Sequence, residues 1–182
     1  RAPMGLRDRI QDRRAERREE KVHYRMRQKL VAIGDDSWIE DDNGNRVYKV
    51  NGKALRVRDT IIFEDANGRE LLKLQQRIAR VRDTMAIEDP NGNNVATVKK
   101  AMIAPLRERW TVKIGDGPDL KVQGNIVDHE YTIENDSEKV AEVSKRWFRI
   151  ADTYGVEVDA DVDPVIVLAI TAVIDSMAHE GK

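Results

Sequence analysis

Apolar and polar residues alternate in short runs along most of this chain, and one four-residue pattern keeps returning. It reads apolar, apolar, polar, apolar in Val47-Tyr48-Lys49-Val50, Leu71-Leu72-Lys73-Leu74, Val95-Ala96-Thr97-Val98 and Val140-Ala141-Glu142-Val143. Side chains two apart on a strand share a face. The second and fourth members of each run are therefore predicted to be buried, with the lysines and their equivalents facing water. The first three runs each follow an acidic strand end and a turn: Glu40-Asp41-Asp42-Asn43-Gly44, Glu64-Asp65-Ala66-Asn67-Gly68 and Glu88-Asp89-Pro90-Asn91-Gly92. Asn-Gly between apolar strands signals a hairpin, because both residues tolerate positive φ. The repeat is seen again where Arg56-Val57-Arg58-Asp59-Thr60 returns as Arg80-Val81-Arg82-Asp83-Thr84. Its copies degrade after Gly92, which favours one meandering sheet over a solenoid or propeller. Twelve strands are predicted, over 24–31, 38–41, 46–50, 60–64, 70–75, 84–88, 94–100, 109–114, 120–123, 130–134, 139–145 and 154–159.

The last stretch breaks the pattern. From Val165 to Ala178 only Asp175 carries a charge, and a segment apolar on every side must be enclosed all round. Asp163 suits an N-cap and Pro164 the first helical turn, so a helix is predicted to run until near His179 and Gly181. About eight strands make a barrel that its own side chains fill. Twelve leave a bore that needs an occupant, and closure removes the exposed edges of so wide a sheet. The predicted fold is mainly β: a closed twelve-stranded antiparallel barrel around a central hydrophobic C-terminal helix, spanning residues 23–182. Burying Val165, Ile166, Val167, Leu168, Ile170, Val173, Ile174 and Met177 contributes on the order of 12–24 kcal/mol, an upper figure.

Composition adds limits. The 182 residues are 40% hydrophobic and 36% charged, with a formal net charge of −1, which suits one domain with a substantial core. There is no cysteine, so disulfides, thiolate metal sites and acyl-cysteine anchors are excluded. Residues 1–29 hold eleven of the 32 basic and five of the 33 acidic residues, leaving an acidic body. Residues 1–22 read as a basic tail, helical or disordered, whose basic run is broken by Asp8, Asp12, Glu16, Glu19 and Glu20. The run from Val165 is shorter than the roughly 20 apolar residues that span a bilayer. No transmembrane segment is expected, and a soluble cytoplasmic protein, peripheral at a membrane if it meets one, is the expectation.

From about residue 22 to 180 the chain resembles the LURP-one-related family, within the tubby-like C-terminal superfamily that includes phospholipid scramblases. The resemblance is carried by Trp38-Ile39-Glu40-Asp41 with Asn43-Gly44, by Val50-Asn51-Gly52-Lys53-Ala54-Leu55 before Arg58-Asp59-Thr60, and by Val98-Lys99-Lys100 before Pro105-Leu106-Arg107. It continues through Gly124-Asn125 with Asp128-His129-Glu130-Tyr131, and Val143-Ser144-Lys145-Arg146-Trp147-Phe148 with Asp152-Thr153-Tyr154-Gly155-Val156. It implies the same barrel around a helix and says little about activity. Tubby relatives bind phosphoinositide head groups and scramblases act on membrane lipids, but no stretch here matches tubby's lipid-binding residues one by one.

Candidate chemistry is sparse. His23, His129 and His179 sit in no metal-ligand spacing. Asp128-His129-Glu130 is read as a surface turn, since neighbours on a strand point to opposite faces. Asp65-Ala66-Asn67-Gly68 and its copies lack the sixth-position Gly and twelfth-position Glu of a calcium loop. No cofactor, metal or catalytic set is expected, and no enzyme. The basic clusters remain: Lys99, Lys100, Arg107 and Arg109, then Lys145, Arg146 and Arg149. Arg suits bidentate contact with phosphate, so these seven are the candidate anion-binding residues. The competing reading makes such charges, with Arg56, Arg58, Arg80 and Arg82, cross-strand pairs. An acidic body with 5% aromatic residues argues against nucleic acid. The functional expectation is a non-catalytic binding module for an anionic phospholipid head group or phosphate ligand at a membrane surface; the alternative is a protein-interaction domain with a protein partner.

Overall fold

The repeated hairpins become neighbouring staves of a closed wall. The computed structural model describes Arg9 and residues 21–27, 36–52, 60–76, 84–104, 107–136, 138–148 and 150–179. Its strands are β1 (Lys21–Arg27), β2 (Asp36–Glu40), β3 (Arg46–Asn51), β4 (Thr60–Asp65), β5 (Glu70–Gln76) and β6 (Thr84–Glu88). They continue with β7 (Asn94–Ala104), β8 (Arg107–Ile114), β9 (Leu120–Asn125), β10 (Glu130–Asn135), β11 (Glu138–Ser144) and β12 (Thr153–Asp159), followed by the helix α1 (Pro164–His179). Each strand pairs with the next, and β12 returns to β1, giving a closed twelve-stranded antiparallel barrel. The first strand starts at Lys21, three residues before the apolar pattern suggests, because its ladder with β12 begins at Lys21↔Asp159; residues 28–31 of the predicted strand lie outside the described residues.

Alternation decides which face of each strand turns inward. Leu72 and Leu74, Ala96 and Val98, and Ala141 and Val143 are buried, while Lys73, Thr97 and Glu142 lie half-buried on the outer wall. Val50 is buried and Tyr48 packs against the same core. The outer lysines are drawn in by carboxylates: Lys49 lies 2.9 Å from Glu64, and Lys73 3.4 Å from Glu70.

The turns differ from a tight two-residue hairpin. Only the glycines, Gly44, Gly68 and Gly92, take positive φ, at 79°, 83° and 85°. The aspartate three residues earlier organises each turn. Asp41 Oδ1 accepts the N–H groups of Asn43 and Asn45 at 2.9 Å, and Asp65 and Asp89 repeat this with Asn67 and Arg69, and with Asn91 and Asn93. Self-capping of this kind holds Asp41 and Asp89 below the usual carboxylate range, led by the hydrogen bonds from the Asn45 and Asn93 side chains. Each turn adds a register shift on the strand before it, between Ile39/Glu40, Phe63/Glu64 and Ile87/Glu88.

Enclosure of α1 is complete where it matters. Val167 to Asp175 are all buried, and the helix touches β5, β6, β7 and β12. Asp163 caps it, accepting the Val165 N–H at 2.9 Å. The helix enters at the end carrying the tight turns and runs to the other end. The turn end holds Asp41, Asp42, Asp65, Asp89, Asp116, Asp119, Asp136, Asp161 and Asp163, in excess over Lys21, Arg46, Arg69 and Lys139 beside them.

Closure between β12 and β1 runs over seven residue pairs, from Lys21↔Asp159 to Arg27↔Thr153. Outside it, Glu157 accepts from Lys21 Nζ at 2.8 Å and contacts His23 Nε2 at 3.0 Å. Burial alone would raise the Glu157 carboxyl, but the bonds from Lys21 and His23 outweigh it and hold the group below its ordinary range. Its contribution is full above the unfolded value of about 4.3 and is lost as pH falls through the lower folded value. Glu157→Gln is expected to cost about 1 kcal/mol in urea unfolding at pH 7, a difference that vanishes in acid. Leu168→Ala, in the middle of the bore, is expected to cost about 2–5 kcal/mol in the same measurement.

Candidate functional site

The candidate basic residues gather at the end away from the acidic turns, in two groups. Lys99 and Lys100 lie on β7, facing β8 with its Arg107 and Arg109; the pairs run Lys100↔Trp110, Ala101↔Arg109 and Ala104↔Arg107. Lys99 and Arg109 are exposed, and the Lys100 ammonium sits 5.5 Å from the ring centre of Trp110. Only the strand position of Arg107 is described. Lys145 and Arg146 follow β11. Arg146 pairs with Glu142 and stacks 5.6 Å from the Trp147 ring, while the Lys145 N–H donates to Glu130 at 2.9 Å. Arg149 lies outside the described residues, as do Arg56, Arg58, Arg80 and Arg82. Strands β9 and β10 stand between the two groups, so they do not share one concavity.

A concavity does open elsewhere. Among the described residues, strands β1 and β2 share one register pair, Arg25↔Glu40. The cleft between them has a volume of about 280 Å³ and is lined by Arg25, Met26, Arg27, Asp36, Ser37, Trp38, Glu40, Arg46, Ile150 and Thr153. Arg25 pairs with Glu40 and lies 5.9 Å from the Phe148 ring. Asp36 is 3.9 Å from Lys49. Arg46 lies 5.2 Å over Trp38. The Trp147 and Phe148 rings reach this wall because Gly155 has no side chain: a Cβ there would stand 2.9 Å from both. The sequence pattern marks Arg25, Arg27 and Arg46 only as outward residues of strands, so their convergence was not visible in it.

The histidine of Asp128-His129-Glu130 is not at the surface, and that expectation is corrected here. Asp128 and Glu130 are exposed, but His129 is 3% exposed and its Nε2 lies 2.7 Å from Asp175 Oδ1 on α1. Its φ of 55° swings the side chain inward from the turn, where strand alternation would not apply. The His129 ring stacks on Tyr154 at 4.3 Å and 24°. Tyr131, hydrogen-bonded to Thr171, joins the cluster, and both tyrosines are raised above their usual range, by burial first and the Asp175 carboxylate second. The Tyr154 hydroxyl is buried with no hydrogen-bond partner among the described residues. The cluster ties the helix to the β9–β10 turn and lies inside the packed core. Among the described residues, no group of three His, Asp or Glu is placed to hold a metal.

Two substitutions separate these roles. Asp175→Ala strips His129 of a buried partner and is expected to cost about 3–5 kcal/mol in denaturant unfolding. Tyr154→Phe removes a hydroxyl that gains nothing from burial, and is expected to leave stability unchanged or raise it by up to about 1 kcal/mol.

Comparison with known proteins bears on the whole chain. No curated protein matches it. An X-ray structure of a protein from Arabidopsis thaliana superposes with a TM-score of 0.66 at 17% sequence identity, covering 87% of this chain and 91% of that one, which shows a shared fold. The LURP-one-related family model matches residues 22–175, from the first strand through the residue that anchors the central helix. The closed barrel, the helix in its bore and that match together place this chain in the LURP-one-related family.

Proposed function

We propose that this protein is a non-catalytic binding domain that recognises an anionic lipid head group or phosphate ligand at a membrane surface. The observation that supports it best is the β7–β8 hairpin. Beyond Thr84↔Lys99 and Trp110↔Val122, its three further pairs, Ala101↔Arg109, Met102↔Glu108 and Ala104↔Arg107, have no flanking partner among the described residues. In sequence its far end reads Ala-Met-Ile-Ala-Pro-Leu over 101–106, between Lys99-Lys100 and Arg107 with Arg109. An apolar stretch flanked in sequence by cations suits the boundary between acyl chains and anionic head groups. At the same end of the barrel, large apolar side chains stand open beside the second basic group: Ile150 is 51% and Val127 55% exposed. The opposite end is acidic, which orients the domain. No described helix is long and apolar enough to cross a membrane, so contact through this end would be peripheral.

Flotation with vesicles tests the reading. Binding to vesicles containing anionic phospholipid, weakened by salt and absent on phosphatidylcholine alone, is expected. Each cation near an anionic surface contributes about 1 kcal/mol, so the double change Lys99→Gln with Arg109→Gln should lower partitioning by about tenfold or more. Salt-insensitive or absent binding counts decisively against it. A co-purifying protein lost with the same substitutions would favour a protein-interaction domain instead.

A further inference from the structure

We infer that Asn67 is a site of spontaneous covalent modification, deamidating through a cyclic imide ahead of the asparagines that hold the same place in its two sister turns. Three exposed turns carry Asn-Gly: Asn43-Gly44, Asn67-Gly68 and Asn91-Gly92. A fourth pair, Asn51-Gly52, lies at the end of β3 with its glycine buried, away from the water the reaction needs. In such a pair the glycine nitrogen, unhindered because the residue has no side chain, attacks the asparagine Cγ. The new N–C bond closes a five-membered imide, the Cγ–Nδ2 bond breaks, and ammonia leaves with the proton that the glycine N–H gave up. Water then adds to either ring carbonyl and opens the imide to aspartate or isoaspartate. Water is the sole co-reactant.

The folded turns hold this reaction back. The Gly68 N–H donates to the Asp65 carbonyl at 3.1 Å, and Gly44 and Gly92 donate likewise to Asp41 and Asp89 at 3.0 Å. Attack by that nitrogen requires the bond to break and the turn to open, so each rate follows the fraction of time its turn stands open. The three turns are held unequally. In the first, Asn45 Nδ2 donates to Asp41 Oδ2 at 3.1 Å, and Asp42 Oδ2 accepts the His23 N–H of β1 at 3.3 Å. In the third, Asn93 Nδ2 donates to Asp89 Oδ2 at 3.0 Å, and Pro90 limits the freedom that opening would gain. The middle turn has Ala66 in place of Asp42 or Pro90, and Arg69 in place of Asn45 or Asn93. Among the described residues no side chain donates to Asp65 Oδ2, and Asp65 Oδ1 keeps only the Asn67 and Arg69 N–H groups, a pair that all three turns share. Isoaspartate routes the main chain through Cγ, which lengthens the turn that joins β4 to β5.

Peptide mapping by mass spectrometry, on folded protein aged in mildly alkaline buffer, reads each asparagine separately. Loss of one net hydrogen bond opens a turn about threefold more often, so Asn67 is expected to convert about threefold faster than Asn43 and Asn91, or more. In denaturant, where no turn survives, that lead should shrink to the small differences that neighbouring side chains make. Arg69→Asn restores the missing donor and Ala66→Pro the missing restraint, both at exposed positions, and each should slow Asn67 toward its sisters. Asn93→Ala should speed Asn91 in turn. Equal rates in the folded protein, or a lead by Asn43 or Asn91, would overturn the inference. A lead that stays as large in denaturant, or that Arg69→Asn leaves unchanged, would overturn it as well.

Discussion

The bore of a twelve-stranded barrel is too wide to be filled by its own side chains, and everything else in this structure answers that constraint. The occupant is one helix, apolar on nearly every face, which could not exist in water by itself. Wall and helix therefore stabilise each other or neither forms. This explains why inward positions of the strands carry large side chains such as Phe63, Met85, Trp110 and Ile133, and why the nine residues Val167 to Asp175 admit only Thr171 and Asp175 as polar members. Those two are satisfied locally: Thr171 donates to the Val167 carbonyl at 2.9 Å, and Asp175 meets His129.

Filling the bore with protein also removes the most obvious place for a ligand. In narrower or emptier barrels the mouth is the binding site. Here chemistry is displaced to the outer wall and the rim. The rim is polarised, since turns at one end are built on aspartates whose carboxylates organise the backbone, while cations and exposed apolar side chains sit at the other. The acidic end serves folding, and the opposite end is the one proposed for recognition. Between β1 and β2 a cleft lined by Arg25, Arg27 and Arg46 opens on the outer wall.

Local pattern made most of the architecture readable. Period-two runs after Gly44, Gly68 and Gly92 give the strands and their inward faces, and Asp163-Pro164 before an apolar stretch gives the helix and its cap. What local pattern cannot reach is pairing across sequence distance. His129 and Asp175 are 46 residues apart, and nothing near either one announces the other. Even the orientation of His129 depends on a left-handed backbone that a non-glycine residue adopts only when its surroundings hold it there. The cleft is hidden too: Arg25 and Arg27 lie on β1 and Arg46 on β3, with β2 between them, and strand alternation marks each only as facing outward. The basic residues singled out by composition are spread over β7, β8 and the segment after β11, because runs of charge report sequence neighbours and not spatial ones.

The central claim is that helix and wall form one cooperative unit. Native-state hydrogen exchange measures it most directly. Amides of Leu168 to Ile174 should exchange only through global unfolding, with the same free energy and the same denaturant dependence as the central amides of β5, β6, β7 and β12. Exchange of the helix amides at a markedly lower free energy, while the strands stay protected, would show a barrel that stands with its bore empty and would contradict the account.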